Sequence, residues 1–337
     1  MANRKTLADL AAAAGVSVAT VDRVLNARHR VREPTAERVL QAAQAIGFHA
    51  TALLKRRASP VRTFGFLLQK PDAFYRQLGA DIAAEAERMT QARVVIDYVT
   101  ELSPIAIAQA LAKMGERADA VAVVSVDHSR VSDAVAALRA AGKPCFALIS
   151  DLTAPARAGY VGRDNRREGR TAAWLIAKTA ARPGQVGVIV GSHRYLAQET
   201  CEMSFRAFLR EHGPQFELIE PLVNLDDSRL AYGAMSELIA RRPDLVGLYV
   251  AGGGADGVVA AARDETKPGA LAIVCHELTP RNREGLIDGV LTAVLGTPNF
   301  ELARRALEAM SRAVEQGPPE TPMQILTPFD IFLATNI

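Results

Sequence analysis

From residue 64 onward the chain alternates short, apolar, β-rich runs with segments of helical periodicity, and this alternation constrains the fold more than any other feature. The clearest runs cover 64–69, 93–99, 120–126, 144–149, 185–190, 245–250 and 271–275. Between them, 79–88, 131–140, 170–180 and 203–211 place apolar residues at helical spacing. Runs that are apolar throughout, joined by helical crossovers, predict parallel sheets covered on both faces. The predicted class is therefore α/β, with no short-period internal repeat. Ligands in such folds bind beyond the carboxyl ends of strands, so a site is expected in the residues that follow each run.

The first 48 residues follow another pattern. Two short helices are predicted between Thr6 and Asn26, the first with Leu7, Leu10 and Ala11 on one face, the second with Val21, Val24 and Leu25 inward. Gly15 between them suits the left-handed backbone of a tight turn, and Ser17 is placed to N-cap the second helix. Ala11, Gly15 and Val21, spaced four and six apart, meet the demands of two helices packed steeply across a short turn. A third amphipathic helix is predicted from about Pro34 to Ile46, with Val39, Leu40, Ala43 and Ile46 inward and Gly47 ending it. Charge separates this head from the rest. Residues 1–60 hold ten Lys or Arg against four Asp or Glu, a balance of +6, while the remaining 277 hold 30 against 33, or −3. Phosphates are met by Lys and Arg, so a basic three-helix unit on a mildly acidic body points to nucleic acid at one end. A solvated basic tail is the plainer alternative, and the helical pattern inside the head argues against it.

No apolar run approaches the ~18 residues that span a bilayer, and the first residues lack the apolar stretch of a secretory signal. Cys145, Cys201 and Cys275 are odd in number and widely spaced. They fit neither a disulfide framework nor a zinc cluster, and buried free thiols in a cytoplasmic protein are expected. No membrane contact, metal or cofactor is predicted.

Three stretches of the head are specific: Thr6-Leu7-Ala8-Asp9-Leu10-Ala11, then Ala14-Gly15-Val16-Ser17, then Thr20-Val21-Asp22-Arg23-Val24-Leu25-Asn26, with Val31, Thr35 and Arg38 beyond. Together they resemble the head of the lac repressor family. The resemblance implies a helix-turn-helix domain over 1–48, double-stranded operator DNA as partner, and the second helix in the major groove. Val18 and Ala19 would then face base edges and Arg23 would contact a guanine through two hydrogen bonds. Thr6, Ser17, Thr20, Asn26, His29 and Thr35 would meet phosphates and fix register. A solvated or salt-bridged helix arginine is the alternative for Arg23, and an ordinary surface histidine for His29. Two residues depart from the family pattern. Asp22 stands where serine is common and needs a partner to sit near a phosphate backbone, and the small apolar Val18 and Ala19 can touch thymine methyls but donate nothing.

The resemblance also implies a hinge over 49–61 that lies in the minor groove and wedges a leucine between base pairs. Here Arg57 takes the wedging position. Three alternatives stay open: Leu53 or Leu54 as the wedge, Arg56 and Arg57 along a narrow minor groove, or a flexible basic linker.

Residues 62–337 resemble the periplasmic sugar-binding fold that forms the body of the same family. The resemblance implies two subdomains, 62–161 with 297–324 and 162–296 with 325–337, closing on a ligand between them. Candidate ligand contacts are Asp72, Phe74 and Tyr75 after the first strand, Ser125 and Asp127 after the third, and Ser150 and Asp151 after the fourth. Glu199, Asp256 and Glu277 follow later strands, and Gly296 lies near a common glutamine. Aromatic faces suit the C–H faces of a sugar ring and carboxylates its hydroxyl donors, although Phe74 and Tyr75 are equally at home as helix-start core residues. Several carboxylates without an arginine clamp favour a neutral polyhydroxylated ligand, a sugar or polyol, or a cationic one, over a sugar phosphate. Lys70 and Arg194 nearby would weaken that preference. A homodimer reading two half-sites is expected, and no heptad tail for tetramerisation follows the last strand.

Enzymatic signals are weak. Gly252-Gly253-Gly254 lacks the spacing and the Lys-Ser/Thr ending of a phosphate loop, His276-Glu277 lacks the zinc-protease spacing, and no Gly-x-Ser-x-Gly elbow occurs. Asp226-Asp227 is expected to be a solvated loop pair. The function expected is a regulator, a repressor with a small-molecule effector, and no enzyme. A transport-type binding protein and a regulator answering to a protein corepressor are the alternatives.

Overall fold

The computed structural model describes residues 5–26, 31–48, 61–89, 92–101 and 103–337. The chain divides into two compact units, one built on 1–63 with 86–93 and the other on 64–85 with 94–337.

Local chemistry builds the head. Helix α1 (Leu7–Ala14) starts at Thr6, whose side chain accepts from the Asp9 N–H while its own N–H donates to Asp9 Oδ2 at 2.8 Å, a reciprocal capping box. Gly15 ends the helix at φ +63°, the left-handed conformation expected of it. Helix α2 (Val18–Asn26) begins after Ser17, whose Oγ accepts from the Thr20 N–H. Helix α3 (Glu33–Ala45) carries Pro34 in its first turn. Leu10, Ala11, Val21, Val24, Val39, Ala43 and Phe48 close one small core. Leu7, expected inward, is 37% exposed, because it sits in the first turn ahead of the helix crossing.

The body is made of two sheets. The first contains β1 (Arg62–Gln69), β2 (Ala92–Val99), β3 (Ala120–Val123), β4 (Cys145–Leu148) and β5 (Gly159–Arg163). Helices α4 (Ala73–Arg88), α5 (Pro104–Arg117) and α6 (Ser129–Ala140) connect them. α5 and α6 cover one face, packing Ile107, Leu111, Val131 and Val135 on Val121, Val123 and Ala147. Helix α7 (Asn165–Thr179) leads into the second sheet: β6 (Gly184–Val190), α8 (Leu196–His212), β7 (Phe216–Leu218), β8 (Leu222–Val223), α9 (Ser228–Arg241), β9 (Leu245–Val250), α10 (Ala255–Glu265), β10 (Ala272–His276), α11 (Pro280–Ile287) and β11 (Ala293–Gly296). The chain returns through α12 (Asn299–Gln316) and β12 (Met323–Thr327) to the first sheet, then crosses again to place β13 (Asp330–Phe332) on the second.

Strand order is β12-β5-β4-β3-β1-β2 in the first sheet and β13-β11-β10-β9-β6-β7 in the second, with β8 also on β6. Only β13 runs antiparallel among the described pairings. The second sheet is buried on both faces, one under α7 and α8 and the other under α9, α10 and α11, which is why its strands carry no polar alternation. The crossings follow Arg163, Gly296 and Thr327. β12 pairs with β5 through Thr327, so the last crossing falls there rather than at 324. All three cysteines are buried and free.

Candidate functional site

The head presents one face of α2. Val21 and Val24 anchor the helix to the core, so a turn of about 100° per residue leaves Ser17, Val18, Ala19, Arg23 and Asn26 exposed. Val18 is 47% exposed and Arg23 is exposed as well. Asp22 finds its partner in Asn26, whose Nδ2 donates to Oδ1 at 2.6 Å, and not in Arg23. That bond occupies one donor of Asn26, and among the described residues nothing pairs with Arg23. Thr20 shares a 2.9 Å hydroxyl contact with Ser17, so both are held in the capping turn. Thr6 likewise has a capping role, and Thr35 is half-buried in the first turn of α3. His29, Leu53, Leu54, Arg56 and Arg57 lie outside the described residues.

In the body, a cavity of about 240 Å³ lies where the carboxyl ends of both sheets meet. Of the expected ligand contacts, Asp72, Phe74, Tyr75, Ser150, Asp256 and Glu277 line it. Four do not. Ser125 is fully buried and donates to the Val126 carbonyl, because β3 ends at Val123 and Val124 is the residue that turns into the cavity. Asp127 accepts from the N–H and Oγ of Thr153 and staples two loops together. Asp151 is engaged by Arg157 at 2.9 Å and by Gln324. Glu199 is displaced by helical phase: Ala197, Gln198 and Cys201 are the positions of α8 that face the cavity. Gly296 and Arg194 also lie outside the lining.

Residues the sequence reading missed supply much of the polar wall. Asp226, expected to be solvated, lies largely within the protein. It accepts from the Gly253 N–H at 2.6 Å and from Gln198 Nε2, and Gln198 Oε1 in turn accepts from the N–H groups of Gly191 and Ser192. The glycine run follows from this: a Cβ on Gly252 would stand 2.8 Å from both Asp226 and Gln198, and the Gly253 N–H already serves a carboxylate rather than a phosphate. Burial raises the Asp226 carboxyl despite Gly253, Gln198 and Lys70. Asp72 keeps an exposed side at the rim, yet the cleft walls remove enough water to raise its carboxyl too, against the Tyr75 N–H and Lys70.

Arg163, at the first crossing, is the arginine the sequence reading did not place. Its Nε lies 3.0 Å from Glu168 Oε1 and its Nη1 donates to Glu277 Oε1 at 3.0 Å. Burial pulls the guanidinium down, but Glu168 and Glu277 outweigh it and hold it charged. Glu277 also accepts from the Oγ1 and N–H of Thr297, at the second crossing, so its carboxylate is already well supplied with donors. Behind it, burial pushes the Glu168 carboxyl up to about 7 against the pull of Arg163. His276 is kept neutral by burial and by Arg163, with Nε2 2.6 Å from the Tyr249 hydroxyl.

Contacts across the cleft draw the lobes over the cavity. Lys70 Nζ donates to the Asp226 carbonyl at 3.1 Å, the Ala197 N–H to Ser150 Oγ at 3.2 Å, and the Asp127 N–H to the Arg194 carbonyl at 2.7 Å. Of the four non-glycine residues with left-handed φ among the described residues, three, Ile149, Asp226 and Glu277, line this cavity. For a β-branched residue such as Ile149 that conformation is strained, and such strain gathers where side chains are held for a ligand. No group of three or more His, Cys, Asp or Glu suited to a metal ion occurs among the described residues, nor does any helix there reach the length and apolarity needed to cross a membrane.

A two-lobed binding body carrying a helix-turn-helix head is the class that this fold and these sites define. Two family models match it: a periplasmic binding protein domain over residues 64–318 and the bacterial regulatory proteins of the lacI family over residues 6–50. The chain belongs to the lacI family and is a ligand-responsive, DNA-binding transcriptional regulator. No curated protein matches its sequence. The body shares its fold with a solute-binding protein of an ABC transporter from Agrobacterium vitis bound with alpha-D-tagatopyranose (18% identity, 82% of this chain and 95% of that chain, TM-score 0.74). It is similar also to the glucose-galactose binding protein GanP from Geobacillus stearothermophilus (16% identity, 83% and 99%, TM-score 0.75). A third is a solute-binding protein from Burkholderia graminis in complex with D-arabinose (17% identity, 82% and 96%, TM-score 0.74).

Proposed function

We propose that the protein is a cytoplasmic repressor, with no catalytic turnover, that binds a palindromic operator as a homodimer and is controlled by a single small polyhydroxylated molecule, a sugar or polyol. The observation that carries this is the cavity. At about 240 Å³ it is smaller than the ~300–1,000 Å³ of drug-sized sites and suits one small ring. Phe74, Tyr75 and Tyr195 offer apolar faces and Asp72, Asp226 and Ser150 offer acceptors for hydroxyl groups. The sugars named with the similar binding proteins support the same class of ligand.

Ligand contacts from both lobes favour closure, and closure shifts the two heads between arrangements that match or miss the operator half-sites. Coupling of about 1–3 kcal/mol is usual for such linkage, a change of roughly 5–150-fold in operator affinity. The test joins two measurements. A thermal-shift screen of sugars, polyols, sugar phosphates and nucleosides finds the ligand, since one at about a hundred times its Kd adds about 2.7 kcal/mol. Operator binding is then followed by fluorescence anisotropy with and without it, and sedimentation reports the oligomer. Release of operator by a sugar or polyol is expected. Stabilisation by nucleosides or phosphates alone, or operator binding indifferent to every stabilising ligand, would sink the proposal.

A further inference from the structure

The charges around the cavity do not balance. Four carboxylates line it, Asp72, Asp226, Asp256 and Glu277, against two cations, Lys70 and Arg163. Arg163 is shared, since Glu168 behind the wall takes its Nε while Glu277 takes Nη1. Lys70 donates to a backbone carbonyl, so its ammonium is not locked to either neighbouring carboxylate. The wall therefore keeps an excess of negative charge even after its internal ion pair is formed.

Two further features direct that excess toward a ligand. Asp72 Oδ1 accepts from the Tyr75 N–H and the Phe74 N–H also bears on the carboxyl, but no side-chain donor bonds to it among the described residues. Tyr195 is 2% exposed, lines the cavity, and its hydroxyl has no hydrogen-bond partner among the described residues, which leaves a buried polar group at the cavity wall near Asp226. A neutral sugar would offer hydroxyl donors but leave the charge excess sealed under a closing cleft, and closing over an unpaired carboxylate is unfavourable. Burial raises both Asp72 and Asp226, outweighing the local hydrogen bonds and the nearby Lys70.

We propose, building on the reading of the cavity as a polyol-effector site, that the effector carries a protonated amine beside its hydroxyls, an amino sugar or aminated polyol, with the ammonium received by the open carboxylate of Asp72 and by Asp226. Ammonium donors match what these groups lack: N⁺–H bonds to carboxylate are shorter and stronger than neutral ones, and the ligand's charge offsets the excess. Phosphorylated sugars are disfavoured by the same field.

The full-length protein is titrated calorimetrically at pH 6.5 with glucosamine, galactosamine, mannosamine and 1-amino-1-deoxysorbitol, each beside its hydroxyl parent and, for the sugars, its N-acetyl derivative. At least one amine is expected to bind about tenfold or more tightly than both neutral counterparts, the size of one charge-assisted hydrogen bond. In Asp72→Asn that preference of the amine over its neutral parent falls to within about threefold, and a thermal melt matching wild type separates lost charge from lost fold. If neutral members bind as well as or better than their amines, or if no amine binds, the ammonium assignment is overturned. Should operator still be released by a neutral sugar, the regulator reading survives that failure. If no ligand of any class affects operator binding, the regulator reading falls with it.

Discussion

The head and the body present opposite kinds of functional surface. On α2 the side chains expected to meet DNA are mostly exposed and carry few internal bonds: among the described residues Asn26 bonds Asp22, Thr20 bonds Ser17, and Arg23 has no partner. In the body the groups aimed at a ligand are mostly buried and already bonded to one another, from Asp226 on Gly253 and Gln198 to Glu277 on Arg163 and Thr297. A phosphate backbone brings its own charge and geometry, so the head needs only a rigid helix with the right residues outward. A small ligand must be enclosed, and an enclosing wall has to satisfy its polar groups before the ligand arrives. One site therefore tolerates local change, while the other couples every residue to the fold.

The sharpest way to break that contrast is Arg163→Ala. It strands Glu168 and Glu277 together, and removing one member of a buried ion pair costs about 3–5 kcal/mol. Urea denaturation of the body should show the loss. A variant as stable as wild type would mean the cluster is solvated after all.

The same cluster predicts a pH dependence. The folded Glu168 carboxyl is raised from 4.5 to about 7, so between those values the native state binds the proton that the unfolded chain has lost. Native stability from this group is full below about 4.5 and falls as pH rises toward 7. His276, held neutral well below its usual range, slopes the opposite way. The difference between wild type and Glu168→Gln isolates the acid: the variant should gain on wild type as pH rises through this window, by an amount read from melts at each pH. Parallel curves would refute it.

On the other side of the contrast, Arg23→Ala should weaken operator binding by about 1–3 kcal/mol and relax one base preference. Ligand binding and the melting of the body should not change. An equal loss on every sequence would reduce Arg23 to a phosphate contact. Smallest is Thr6→Ala, which removes the α1 cap and should cost the head about 1 kcal/mol by calorimetric melting, leaving the body unaltered.

How far each site could be read from sequence follows the same division. The turn glycine, the Ser17 cap and the inward stripe are all local, so Gly15, Ser17, Val21 and Val24 are legible, whereas Leu7 is misplaced by helix phase near an end and the Thr6 cap goes unread. In the body, Asp72, Tyr75, Ser150 and Glu277 directly follow apolar strands and could be found from that pattern. Arg163 ends a short strand, Gly159–Arg163, interrupted by glycine and too weakly apolar to stand out. Asp226 follows the two-residue β8 in a backbone turn with left-handed Leu225 and Asp226, which no periodicity announces. Gln198 was missed by one helical step in favour of Glu199. Pairings between residues more than a hundred positions apart, such as Arg163 with Glu277, leave no local signal.

The threefold crossing of the chain between the sheets also sets a timetable. The head's core is drawn entirely from Leu10 to Phe48, so every residue it needs has been translated early. The first sheet is completed only when Met323–Thr327 adds β12 beside β5. At about 5–20 residues per second the interval is on the order of tens of seconds. Each nascent chain thus passes through a period in which the part that grips DNA is complete and the part that answers to a signal is not.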